Sequence, residues 1–240
     1  MSSGNISRDV PIIRYENGAV ESRMDRVISE EWLKVNLKGS LFSEMPVTPR
    51  DLPDLVTGLL FGEGLIHPGV VPSIRFKGDE CFVEIPDLEP PAGLSDPEEL
   101  KAFSDDPDRW TPEDLFTLMD AFQKLPSVYH ETGGAHMAAF AVDGIVHWAD
   151  DISRRNAVDK VLGKGFREGC DFSKGIILSS GRISSDMILR MVRTGIPVIA
   201  SISAPSDKAV ELAVKYNVTV CAFVRGRRFN VYSGADRLIL

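Results

Sequence analysis

Three stretches near the C-terminus decide the fold: Gly175-Ile-Ile-Leu-Ser-Ser-Gly-Arg182, Ile196-Pro-Val-Ile-Ala-Ser-Ile-Ser-Ala-Pro-Ser206 and Val218-Thr-Val-Cys-Ala-Phe-Val-Arg-Gly-Arg-Arg228. Each is a short apolar run that stops at serine, glycine or arginine, the pattern of a strand with a turn behind it. A helical stretch near Ser184–Val192 separates the first two. Ser206-Asp-Lys208 opens another, which runs through Val214 and closes at Asn217. Strand–helix–strand–helix–strand is the signature of right-handed parallel crossovers, so the sequence predicts a three-layer α/β domain.

Working outward, His136–Val142 and Ile145–Ala149 read as strands around an Asp143-Gly144 turn. Ser153 is placed to cap a helix running through Val161, with Gly163 as its stop. Phe229–Tyr232 adds an edge strand. Thr111-Pro-Glu-Asp114 is a helix start with a capping box, followed by the buried stripe Leu115, Leu118, Met119 and Phe122. This α/β domain is expected over 110–240.

A smaller α+β domain is expected over 11–85. It contains strands at Glu31–Lys38 and Leu41–Val47 and a hairpin of Ser73–Lys77 with Glu80–Ile85. Between them, Thr48-Pro-Arg-Asp51 repeats the cap pattern, with Thr48 as the expected cap of a helix through Leu52, Leu55, Val56, Leu59 and Leu60 that ends at Gly62 and Gly64. Residues 1–10 are polar and expected to fray. The segment 86–109 is proline-rich and reads as a linker or extended loop, with a short helix at Ser95–Phe103.

Composition narrows the function. Formal net charge is −8 and the pI about 5.1, so nucleic acid is a poor default partner. Cys81, Cys170 and Cys221 are widely spaced and form neither a disulfide framework nor a CxxC pair. The first residues lack the apolar stretch of a signal peptide, and no apolar run reaches the ~18 residues that span a bilayer. The expectation is a cytoplasmic protein without a membrane segment.

In an open parallel sheet, ligands bind beyond the carboxyl ends of the strands. Three such ends are Ser179-Ser180-Gly181-Arg182, Ser201 through Ser203-Ala204-Pro205-Ser206, and Arg225-Gly226-Arg227-Arg228. Glycine admits a ligand close to backbone, helix starts offer N–H groups, and an arginine fork suits phosphate. Their convergence points to a phosphate or nucleotide-end site. Thr132-Gly133-Gly134 bends the chain ahead of His136, which can face the same crevice as a donor or proton shuttle. Asp150-Asp-Ile-Ser-Arg154-Arg-Asn156-Ala-Val-Asp159-Lys160 is the third candidate. No nucleophile–base set and no metal-ligand set emerges. Cys170, in a loop, is the most accessible-looking cysteine and the weak catalytic candidate; His130 and His147 read as structural or exposed, and His67, after the N-terminal helix, has no identified acidic partner.

Taken together, the motifs resemble the formate dehydrogenase accessory proteins, a sulfurtransferase family. Arg14-Tyr15, Val35-Asn36, Thr48-Pro49 with Leu59-Leu-Phe-Gly-Glu-Gly-Leu-Ile66, Thr132-Gly-Gly-Ala-His136, Asp151 with Arg154-x-Asn156-Ala-x-Asp159-Lys160, Ser180-Gly-Arg182, Ser203-Ala-Pro205 and Gly226-Arg227 follow the family's order across residues 11–240. The resemblance implies a cytidine-deaminase-like fold for the C-terminal domain, without metal ligands, and a homodimer. It implies sulfur taken from a cysteine desulfurase and passed to the bis-guanine-dinucleotide form of molybdenum cofactor, which formate dehydrogenase receives. The residues so implied to hold cofactor are Thr132, Gly133, Gly134, His136, Asp151, Arg154, Asn156, Asp159, Lys160, Ser180, Gly181, Arg182, Ser203, Ala204, Pro205, Gly226 and Arg227.

Two departures stand out. The family's Cys-Gly-x-Cys-Gly motif between domains has no counterpart in Pro86–Arg109, and a persulfide relay needs a thiolate. The Gly-Arg-His of the long block is Ser153-Arg154-Arg155 here, a fixed cation in place of an imidazole. The expectation is a maturation protein that binds the cofactor and supports its sulfuration or delivery. The alternatives are a direct sulfurtransferase that uses a remote cysteine such as Cys170, or a scaffold for the dehydrogenase or the desulfurase.

Overall fold

The structure is a computed structural model that describes residues 5–86, 100–104 and 110–240. Its centre is a six-stranded sheet in the order β12-β11-β10-β9-β7-β8. β9 (Ile176–Ser179), β10 (Val198–Ser201) and β11 (Thr219–Arg225) are parallel, as the three apolar runs predict. β7 (His136–Ala141), β8 (Ile145–Asp151) and β12 (Arg228–Ser233) run antiparallel to their neighbours. One face carries Ala138, Phe140, Ile177, Ile199 and Val220 against α4 (Arg154–Glu168), α5 (Ser185–Thr194) and α6 (Asp207–Tyr216). The other carries Met137, Ala139, Leu178, Ala200 and Cys221 against α2 (Pro112–Gln123). The strands are apolar on both faces because helices cover both.

The N-terminal part builds a four-stranded sheet, β4 (Ser40–Val47), β3 (Glu31–Leu37), β6 (Glu80–Glu84) and β5 (Ser73–Lys77), with α1 (Leu52–Gly62) against it. One buried cluster runs from Leu33, Val35, Leu55 and Val83 to Val158, Ile177 and Val220, so this sheet and the central one share a core. The seam is the α1–α4 crossing. A Cβ on Gly58 would lie 1.7 Å from the Asp159 carbonyl oxygen, and one on Gly163 would lie 1.8 Å from the Asp54 carbonyl oxygen. Two glycines face each other there so that the helix backbones can touch. Gly163 is therefore no helix stop; α4 continues past it to Glu168, where Gly169 closes it in the left-handed conformation.

The two Thr-Pro helix starts part company. Thr111 makes the full capping box: its hydroxyl accepts from the Asp114 N–H (3.2 Å), and its own N–H donates to the Asp114 carboxylate (2.8 Å). Thr48 does not cap α1, which begins four residues later, behind Asp51 in a left-handed conformation. Instead Thr48 is fully buried and bonds across the seam to Asp151 and Ile152.

The frayed N-terminus is also corrected. Ser7–Glu16 (β1) and Ala19–Ile28 (β2) form a long antiparallel hairpin around Asn17-Gly18. The predicted helix at Ser95–Phe103 lies mostly outside the described residues; residues 100–103 are irregular. Most of the expected linker 86–109 likewise lies outside them.

Candidate functional site

The parallel strands β9, β10 and β11 end on one edge of the sheet. β7 begins there and β8 finishes there, with His136 paired to Asp151. The first two loops beyond that edge are tied together. Ser201 donates its hydroxyl to the Gly181 carbonyl (2.7 Å), with the Ser179 carbonyl also in reach, and its oxygen accepts from the Ser203 N–H (3.0 Å). Ile183 donates its N–H to the Ala204 carbonyl, and Ser206 donates to the Ile183 carbonyl. Ser180 joins the third member: its hydroxyl accepts from the Met137 N–H at 2.8 Å, beside His136. Ser180, Gly181, Ser203, Ala204, Pro205 and His136 thus converge.

Arg154, first residue of α4, supplies charge to this crevice. A Cβ on Gly181 would lie 2.7 Å from the Arg154 Cβ and 3.3 Å from the His136 Nδ1, so only glycine leaves both in place. Arg154 Nη2 lies 3.4 Å from the hydroxyl of Ser184, the N-cap of α5, while its Nε is buried with no partner among the described residues. The His136 Nδ1 is in the same condition. Neither N-cap side chain, Ser153 of α4 or Ser184 of α5, hydrogen-bonds its own helix. Burial, and then the Arg154 and Arg182 cations, hold His136 below its ordinary value of 6.5, against the opposing pull of Asp151. Arg182 stands exposed on the same loop. The crevice thus gathers an imidazole and two guanidinium groups, side chains whose chemistry suits an anion.

Thr132, Gly133 and Gly134 stand on the approach to His136. They close the short helix α3 (Val128–Thr132): Gly133 takes the left-handed cap position, and the Gly134 N–H donates to the Thr132 hydroxyl (3.1 Å).

Other expected cofactor residues lie elsewhere. Asp151 is fully buried, and its carboxylate accepts from the Thr48 N–H, the Ser153 N–H, the Asn156 amide and, at 2.8 Å, the Lys160 ammonium. Asn156 also donates to the Pro46 carbonyl, and Lys160 to the Thr48 and Asp150 carbonyls. Asp159 takes a different partner, Arg190 (2.8 Å), which also reaches Glu63 (2.7 Å). Burial works against the Arg190 charge, but the Asp159 and Glu63 carboxylates overcome it and raise its pKa. Asp151, Asn156, Asp159 and Lys160 therefore spend their hydrogen bonds and ion pairs on the seam.

The third strand end diverges too. Gly226 and Arg227, both at positive φ, form the two-residue β11–β12 turn. The β11 ladder meets the crevice at Phe223, whose N–H donates to the Ser203 carbonyl. The turn lies three residues beyond, roughly 10 Å along an extended chain. Arg227 pairs with Glu113 (2.6 Å) and stacks on Phe116.

Cys170 follows α4 at its far end. Fifteen residues of helix separate it from Arg154, roughly 22 Å. It is half-buried, with its sulfur 3.5 Å from the His147 Nε2. The sequence reading missed this pairing because the two residues lie on different elements, with only the strand alternation of β8 to suggest that His147 points inward.

The fold and the crevice define an α/β protein whose sheet edge gathers a histidine, two arginines and two tied loops. Residues 28–239 match the FdhD/NarQ family. The chain is 31% identical to the "Sulfur carrier protein FdhD" of Methanothermobacter thermautotrophicus over 90% of this chain and 92% of that protein. It is 33% identical to the protein of the same name from Streptomyces coelicolor over 99% and 97%. A solved structure, of a putative formate dehydrogenase accessory protein from Desulfotalea psychrophila, superposes with a TM-score of 0.84 over 98% of this chain and all of that one, at 24% identity. This chain belongs to the FdhD/NarQ family.

Proposed function

We propose that the protein is a maturation factor that binds the bis-guanine-dinucleotide molybdenum cofactor as cargo, phosphate-bearing end first, and supports its sulfuration or delivery to formate dehydrogenase. The observation that carries this reading is the pair of buried nitrogens without a partner among the described residues, His136 Nδ1 and Arg154 Nε, against Gly181 at the carboxyl edge of the sheet; both are donors when the His136 ring carries its proton on Nδ1. A diphosphate supplies the acceptors those donors lack, and the loops from Ser180 and Ser203 bring backbone beside it. The names of the FdhD relatives support a sulfur-handling role. In this reading a cysteine desulfurase supplies the sulfur.

The same reading takes the protein as a homodimer acting in the cytoplasm. Strand register puts Pro11, Ile13 and Tyr15 on one face of the β1–β2 hairpin with Val20 and Met24, and all five are exposed. A two-stranded ribbon is marginal alone in water, so a second copy covering that face would stabilise it. Among the described residues no helix is long and apolar enough to cross a membrane.

Calorimetry with GDP tests the cargo reading. Binding is expected, and Arg182→Ala weakens it. No heat at millimolar GDP, with the variant identical to the wild type, would overturn it. Light scattering at twice 26.4 kDa is expected of the dimer.

A further inference from the structure

We infer that Phe223 is the platform on which the base of the bound nucleotide stacks, with Arg225 holding the ring in place. The inference rests on the cargo reading above and adds the residue that receives the base.

Six non-glycine residues have a positive φ among the described residues. Asn17, Lys38 and Arg227 stand in two-residue turns, and Asp51 and Asn217 cap helices. Phe223, at φ 55°, alone lies inside a strand, β11. A bulky aromatic side chain is strained in the left-handed region, where glycine fits without a clash. Strain of this kind persists only where the surroundings hold it, and it gathers at ligand sites.

The strand shows what the strain achieves. Cys221 and Val224 belong to the same buried cluster, the one under α2, although they are three residues apart. Strict alternation would put them on opposite faces. An extra residue therefore stands between them, and the pairing with β12 shifts between Ala222 and Arg225. That bulge takes Phe223 out of the alternation. Ala222 and Val224 on either side of it are fully buried. The Phe223 ring is half-buried, and among the described residues it packs into neither hydrophobic cluster.

The ring sits at the crevice. The Phe223 N–H donates to the Ser203 carbonyl (3.1 Å), beside the loop that Ser201 ties to Gly181. Arg225 follows Val224 and so faces away from α2, toward the layer of α4, α5 and α6. Arg154 enters the crevice from that same layer. The Arg225 guanidinium stands 5.5 Å from the Phe223 ring centroid, within cation–π range, and holds the ring on that side. β11 and β9 are two strand spacings apart, roughly 10 Å. The ribose bridges this gap, with the diphosphate at the Gly181 loop and the base on Phe223. Stacking accepts the π-face of any base, so Phe223 supplies affinity and not base identity.

The test is calorimetry with GDP and with inorganic pyrophosphate, on wild type, Phe223→Gly and Phe223→Tyr, with circular dichroism on every variant. Glycine suits a left-handed position, so Phe223→Gly removes the ring without straining the backbone. Phe223→Gly should bind GDP about tenfold more weakly or worse, the scale of a lost base–aromatic stack. Its affinity for pyrophosphate should equal that of wild type, and Phe223→Tyr should hold GDP as wild type does. Unchanged GDP affinity in Phe223→Gly, an equal loss for pyrophosphate, or a Phe223→Tyr as weak as Phe223→Gly would each overturn the inference. GDP held as tightly without the ring strikes the platform alone and leaves the cargo reading standing. A wild type that binds neither GDP nor pyrophosphate strikes both.

Discussion

Helix α4 has two faces that use charge in opposite ways. Asn156, Asp159, Lys160 and Gly163 recur at helical spacing on one side, where α1 lies, and are buried. Arg154 projects from the opposite side, about half a turn away, at the crevice. On the seam face every charge is answered: Lys160 by Asp151, and Asp159 by Arg190. On the crevice face the cation keeps a buried nitrogen unanswered. Residues close together in one motif can therefore serve separate ends, one assembling the protein and the other awaiting a ligand. A buried polar group without a partner costs free energy, and Arg154 keeps one beside Gly181.

Substitutions on the seam should wreck the fold, and those at the crevice should spare it. Gly163→Val has the largest expected effect. Its Cβ would meet the Asp54 carbonyl at 1.8 Å, and backbone cannot yield as a side chain can. Urea denaturation should show a loss beyond the ~1–3 kcal/mol of ordinary overpacking, or no folded protein. Arg190→Met comes next. It leaves Asp159 buried without its partner, which costs about 3–5 kcal/mol, and adding Asp159→Leu should recover most of that loss.

Arg154→Ala should invert the pattern. Its stability should stay within about 1 kcal/mol of wild type, while GDP affinity falls at least about tenfold, the scale of a charged hydrogen bond. The smallest expected effect is one of pH. His136 is held below 6.5 in the free protein, so its neutral form contributes stability above that value, and this is lost as pH falls through the lowered value. A phosphate beside the ring would raise that pKa. GDP should therefore bind more tightly as pH falls toward the lowered value of the free protein, with proton uptake, and His136→Gln should remove the dependence.

The parallel core was legible because buried strands in an α/β sheet are apolar on both faces and end in small polar residues, as Ile176–Ser179 and Val198–Ser201 do. From that alternation with helices, the meeting of Gly181 with Ser203 follows. The β1–β2 hairpin was missed although Asn17-Gly18 is a strong two-residue turn signal; Pro11 and the exposed charges around it hid the strands. Thr48 misled because the same four-residue grammar serves a local cap at Thr111 and a bond to Asp151, 103 residues away, at Thr48. Local pattern carries no record of such a partner. The Gly226-Arg227 turn carries the same residue types as the crevice loops, and only the register of β11 shows that it overshoots them.

A crystal structure with GDP bound tests the central claim most directly. The diphosphate should lie within hydrogen-bond distance of both His136 Nδ1 and Arg154 Nε, between the Gly181 and Ser203 loops. Density for it at the Arg225–Arg228 turn, or anywhere that leaves those two nitrogens unpaired, would contradict the account.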